Sequence, residues 1–178
     1  MPSCGPVLRE VEAFRFSTVR LDLRENSARL HDTLSVLWRA STGESGEPPP
    51  VASKEWKAWL LAELGKPLSS DHKVPAEAGE TLGMFRLVGE VRDGLDREAF
   101  GSFVLSMTRE VSDVLGAYLL AKEAGLFADQ AGTESCTLPI VPLFETIDDL
   151  QRAPVIMRTC SVSRWYGAVF EPRAECRR

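Results

Sequence analysis

The stretch from residue 100 to 158 constrains the fold more than any other part of the chain. Phe100 to Met107, preceded by Ala99 and with Gly101 near its start, is short and mostly apolar and reads as a buried strand. A polar turn, Thr108 to Ser112, follows. Ser112 offers an N-cap with Asp113 in the first turn, so Val114 to Ala124 reads as a helix that Gly125 closes. Phe127 to Cys136 reads as a loop. Leu138 to Phe144 (LPIVPLF) is nearly continuous in apolar residues, as a strand buried on both faces of a parallel sheet would be. Thr146 then caps a last helix with Asp148 and Asp149 in its first turn. Its expected buried face is Ile147, Leu150, Val155 and Met157, with a bend at Pro154. Strand, helix, strand, helix on short turns predicts an α/β fold with parallel strands and right-handed crossover helices. Pro139 and Pro142 each remove a ladder donor, which suits a barrel strand whose pairing is interrupted near its top.

Upstream the signals are weaker. Phe14 to Leu23 is rich in β-branched and aromatic residues and alternates from Val19, which predicts a first strand. Asn26 and Ser27 offer an N-cap for a helix to about Arg39, with Leu30, Leu34, Leu37 and Trp38 at helical spacing. Ser41 to Ser53, with three successive prolines, is an exposed break. Lys54 to Leu64 is a short amphipathic helix ended by Gly65-Lys66-Pro67. Leu68 to Ala78 is polar and irregular, and Thr81 to Val91 is helical again. Four sections result: a first strand and helix (1–40), a loop-rich helical insertion (41–99), the β-α-β-α unit (100–158) and a diverged or disordered tail (159–178) rich in Arg and Cys.

Charge and composition exclude several functions. The 178 residues carry a net charge of −5, the wrong sign for a nucleic-acid binder. No apolar run approaches the ~20 residues of a membrane helix. The first ten residues lack the apolar core of a signal peptide, so a cytoplasmic location is expected. Cys4, Cys136, Cys160 and Cys176 have no paired spacing, and His31 and His72 are the only histidines. Four free thiols and no Cys/His metal site are expected.

In parallel α/β folds the working residues lie at the carboxyl ends of the strands. Asp22 and Arg24, Thr108 and Arg109, and Glu145 hold those places. A carboxylate there suits Mg²⁺, and arginines suit a phosphate or carboxylate. The pattern equally allows Glu145 as a helix-dipole partner and the arginines as surface ion pairs. Asp113 and Asp148 read as capping residues, His31 as solvated, and Trp56 and Trp59 as packing.

Three segments also carry a family likeness. Ser17 to Ser27 (STVRLDLRENS) resembles the Asp-x-Arg-Gln-x-Ser strand end of the phosphoenolpyruvate carboxylases. Phe100 to Phe127 is similar to that family's Ser-Met-x-x-x-x-Ser-Asp-Val-Leu segment, and Leu138 to Pro154 to its Val-x-Pro-Leu-Phe-Glu-Thr-x-x-Asp-Leu segment. The likeness runs from about Val11 to Arg158 and keeps the family's order. It implies a portion of a largely helical (β/α) barrel. It implies a reaction that joins bicarbonate to phosphoenolpyruvate, giving oxaloacetate and phosphate, with Mg²⁺ or Mn²⁺. By the same resemblance Glu145 is a metal ligand and Arg24 an active-site residue near the substrate; Arg109, by its place after the second strand, is a second candidate for gripping it.

Departures set further expectations. The family is several times longer. Its Thr-Ala-His-Pro-Thr-Glu, glycine-rich and Tyr-Ser-Asp-Ser segments are not among these residues, and Glu25 stands where the family has Gln. The isolated chain is therefore expected to be inactive and to hold Mg²⁺ weakly, since one carboxylate is a poor site for that ion. A non-catalytic remnant that self-associates or docks on a full-length relative is the alternative. A distinct small enzyme reusing Arg24 and Glu145 is a third reading.

Overall fold

Three parallel strands, β1 (Leu21–Asn26), β2 (Phe100–Ser106) and β5 (Ile140–Pro142), form a sheet in the order β1-β2-β5. They belong to a computed structural model that describes residues 5–14, 19–67, 79–130 and 133–161. The helices are α1 (Gly5–Phe14), α2 (Ser27–Thr42), α3 (Lys54–Gly65), α4 (Gly79–Gly94), α5 (Val111–Glu123) and α6 (Ile147–Ser161). A separate antiparallel hairpin, β3 (Phe127–Gln130) with β4 (Thr133–Cys136), stands between α5 and β5. The α/β class and the parallel sheet match the expectation; three strands are an open sheet, not a closed barrel.

One face of the sheet is the core. Leu23, Phe103 and Ile140 are in register across the three strands, and Leu105 lies on the same face. Phe103, Leu105 and Ile140 are fully buried. Helix α5 covers them and is buried all round, from Ser112 to Lys122, which explains its near-continuous apolar sequence. Gly116 lets α2 approach: a Cβ there would lie 2.4 Å from Leu34 Cδ1 and 2.9 Å from Leu30 Cδ2. Phe85 of α4 packs on Phe103 with ring centroids 4.5 Å apart. Lys122 is buried, and its Nζ donates to the carbonyls of Leu64 and Lys66, fastening the end of α3 to α5.

The other face is open. Arg24, Val104 and Val141 form its middle row, and Val141 is exposed. Near the start of the sheet, Leu21 pairs with Phe100 but Leu23 with Phe103, so β2 carries one extra residue. The Asp22 carboxylate takes the Ser102 N–H at 2.7 Å. Gly101 is required beside it, since a Cβ would sit 2.4 Å from that carboxylate oxygen.

Several expectations need correction. The first strand starts at Leu21, not Phe14, and runs through Arg24, Glu25 and Asn26; Phe14 ends α1, and 15–18 lie outside the described residues. Pairing with β2 carries the polar residues into the strand, and Val19 and Leu21 are exposed. Phe127 to Cys136 is not a loop but the hairpin. The third strand shrinks to three residues because Pro139 and Pro142 have no N–H, and pairing resumes only where Leu143 N donates to Leu105 O at 2.8 Å. Helix α5 begins at Val111, with Glu110 at the N-cap in a reciprocal box with Asp113, so Ser112 is interior. Helix α6 buries Ile156 and Cys160; Ile147, Leu150 and Val155 face solvent. Leu68 to Ala78, His72, Cys4, Cys176 and residues 162–178 of the tail lie outside the described residues, while 159–161 belong to α6. Among the described residues no helix is long and apolar enough to cross a membrane.

Candidate functional site

The carboxyl ends of the parallel strands gather the residues that sequence singled out. Arg24 lies within β1 on the open face, not after the strand. Its Nη2 donates to Glu145 Oε1 at 2.6 Å. Glu145 stands in the turn after β5, so the pair reaches over β2 from one outer strand to the other, a span of about 10 Å at ordinary strand spacing. The Arg24 side chain is 58% exposed and that of Glu145 33%, so both remain accessible.

Arg109 follows β2. Its Nε lies 3.4 Å from Asp149 Oδ1, and its side chain is half exposed. Asp149 is buried and locks the turn that presents Glu145. The N–H of Thr146 donates to Asp149 Oδ2 at 3.1 Å, and the Asp149 N–H returns to Thr146 Oγ1 at 3.1 Å. The Thr146 hydroxyl holds the Asp149 carboxyl below its usual pKa, with backbone donors and the Arg109 charge pushing the same way. Arg109 is thereby tied to the turn that carries Glu145, although it does not bond to Glu145 itself. Thr108 is fully buried, and its Oγ1 donates to Leu105 O, so it holds the turn and does not face the mouth.

The turn after β2 is built under constraint. Met107 has φ 58°, the left-handed region that side chains avoid at a cost of about 1–2 kcal/mol. Ser27 Oγ donates to Met107 O at 2.9 Å and fixes it from the start of α2. Behind the turn, Asp113 Oδ2 accepts the N–H groups of Arg109 (2.7 Å) and Glu110 (2.8 Å). Its other oxygen lies 2.6 Å from His31 Nε2. His31 is therefore not solvated, and Asp113 is more than a cap: together they secure the segment carrying Arg109. Reading residues singly missed this pair. Its available signal was helical spacing, since His31 stands three and seven positions before the buried Leu34 and Trp38.

Glu145 is engaged by the Arg24 guanidinium. Among the described residues no cluster of three or more His, Cys, Asp or Glu has the arrangement of a metal site. The described residues by themselves do not make a Mg²⁺ or Mn²⁺ site, because such an ion needs several converging oxygens. The Cys136 and Cys160 side chains are buried, and burial pushes their thiols up, to about 12 and about 11. They are inert structural thiols.

Comparison with known proteins agrees with the three motifs. The family profile described as phosphoenolpyruvate carboxylase matches residues 3–176, beyond both ends of the stretch in which the likeness is legible by eye. A phosphoenolpyruvate carboxylase of Methylorubrum extorquens is 57% identical over 180 residues, covering 93% of this chain and 19% of the relative. Those of Gloeobacter violaceus and Prochlorococcus marinus (strain MIT 9301) are 34% and 37% identical, covering 86% and 97% of this chain but 17% and 18% of the relatives. The chain thus spans less than a fifth of the length of these relatives.

Proposed function

The chain belongs to the phosphoenolpyruvate carboxylase family, and on that premise we propose that it supplies one section of such an enzyme's active-site mouth. In this reading Glu145 is a metal ligand, Arg24 binds the substrate, and Arg109 stands by for its phosphate or carboxylate. The complete enzyme would join bicarbonate to phosphoenolpyruvate, with Mg²⁺ or Mn²⁺, in the cytoplasm. The observation that carries the proposal is the Arg24–Glu145 pair, held across the carboxyl ends of parallel strands by residues 121 positions apart.

The pair has a chemical use. A guanidinium held against a carboxylate keeps both oriented in a mouth that is otherwise open to water. In the complete site Glu145 would offer one carboxylate ligand to the ion, and Arg24 would grip the substrate's own oxyanions bidentately. The metal, when bound, supplies a centre of positive charge for the developing enolate and the departing phosphate. This chain's residues bring one ligand and one or two arginines to it, so the isolated chain is inactive in our reading. An oxaloacetate-coupled assay on purified chain with Mg²⁺ checks this directly; turnover above background would refute it. Mg²⁺-dependent binding of phosphoenolpyruvate by calorimetry, compared between the wild type and E145Q, tests the assignment of Glu145.

The open sheet face favours the barrel expectation. Parallel sheets are ordinarily covered on both sides, and the row Arg24, Val104, Val141 has no cover among the described residues. Further strands curving over that face would turn it into a barrel interior. The same observation favours a second reading, a non-catalytic chain that self-associates or docks on a full-length relative through this face. Sedimentation velocity distinguishes them: a monomer at all concentrations would remove self-association.

A further inference from the structure

At the opposite end of the sheet lies a cavity of about 680 Å³, where the strands begin and not where they end. Six steps of β2 separate Phe100, on its wall, from Ser106 near the mouth, roughly 20 Å at strand rise. It is distinct from the Arg24–Glu145 site. Arg20, Arg92 and Arg97 line it, against a floor that includes Leu126 and Phe127, both buried. Asp93 and Glu98 also line it, so cations outnumber carboxylates.

The arginines are unequally used. Arg20 Nη2 is bound to Glu98 Oε2 at 2.5 Å. Arg92 Nη1 donates to the carbonyl and hydroxyl of Thr137, at 3.2 and 3.3 Å. The Arg92 Nε is buried and has no partner among the described residues. A buried donor left without an acceptor costs about 1–3 kcal/mol, more when it is charged. Burial also holds the Arg92 guanidinium below its usual pKa, and the nearby Arg20 charge adds to this. Two guanidiniums that repel each other, one with an unused donor, are set beside an apolar floor. An anion in the cavity would offset the repulsion.

We propose that this cavity binds a small organic oxyanion, a carboxylate or phosphate on a short apolar body. Arg92 and Arg97 grip the oxyanion, and Phe100, Leu126 and Phe127 receive the apolar part. Neither group could do this alone: the arginines without the floor would take any anion, and the floor without the arginines would take none.

The test is an amide-shift titration of the full chain by nuclear magnetic resonance, with benzoate, phenyl phosphate and inorganic phosphate as probes. Saturable shifts are expected at Gly89, Gly125 and Thr137, with benzoate or phenyl phosphate tighter than inorganic phosphate. Which of the two organic probes binds more tightly assigns the oxyanion as carboxylate or phosphate. R92M should weaken binding about tenfold, the equivalent of one charge-assisted hydrogen bond. R97M, at an exposed position, should weaken it with the fold untouched. R24M, at the other end of the sheet, should leave it unchanged. No saturable shift with any probe in the millimolar range, or equal binding by wild type and R97M, would overturn the proposal. So would inorganic phosphate binding as tightly as both organic probes, because the floor would then play no part.

Discussion

The two faces of the β1-β2-β5 sheet are opposites. On one, Phe103, Leu105 and Ile140 disappear beneath α5, a row of apolar side chains. On the other, Arg24 lies in register with Val104 and Val141, and its guanidinium reaches out to Glu145. Adjacent residues of the same strand thus serve different ends, because successive side chains point to opposite faces. Leu23 belongs to the core and Arg24 to the mouth. The first face specifies the fold, and the second carries the residues proposed to bind, so substitutions should separate between stability and binding.

The largest effect that would expose this division is F103A. It removes a fully buried ring packed on Phe85 and should cost about 3–5 kcal/mol in denaturant unfolding. V141S on the open face should cost less than about 1 kcal/mol; equal losses would erase the contrast between the faces. Next in size is G116A, which forces α2 and α5 apart and should cost about 1–3 kcal/mol. A neutral G116A would show that the α2–α5 seam gives way easily. R24M and E145Q come third. Each should change stability by less than about 1 kcal/mol, as exposed ion pairs do, and on the proposed function each should abolish whatever phosphoenolpyruvate binding calorimetry finds in the wild type. A large stability loss in either would make the mouth structural.

The smallest effects are in pH. Asp149 has a folded pKa below its unfolded one, so its contribution is present at neutral pH and is lost as pH falls through the folded value. D149N should flatten the acid limb of the stability curve. The buried thiols act at the other extreme. Their folded values, about 12 and about 11, lie above the unfolded one near 9, so the native state is intact below that value and loses stability as pH climbs past it. C136A and C160A, followed by chemical denaturation across the alkaline range, would reduce that slope.

What could be read in advance follows the same division. Helices α2, α3 and α4 and strand β2 were legible because each carries its own pattern of apolar residues, and α2 also its cap, Asn26, whose side chain accepts from Ala28 N; the Ser53 cap of α3, whose side chain accepts from Trp56 N, was read as part of the break before it. Arg24 and Glu145 were legible as strand-end residues and as parts of family motifs, but not as a pair, because nothing in a linear chain announces a contact across 121 positions. The lower reaches of β1 were misplaced because β2, not local propensity, decides where it pairs. The exposed Ile147, Leu150 and Val155 misled for a related reason: α6 presents Ile156 and Cys160 inward, and its apolar outer residues have no counterpart among the described residues. His31 and Asp113 were undervalued because each looks ordinary until α2 and α5 are laid side by side.

Lys122 offers one last consequence. Its amine is enclosed, spending its protons on the carbonyls at the end of α3. An acylating reagent can reach it only when α3 lifts away from α5. The slow labelling of this one amine, followed against the fast labelling of exposed lysines, is therefore a clock for the opening of the α3–α5 seam, written into the native chain with no probe added.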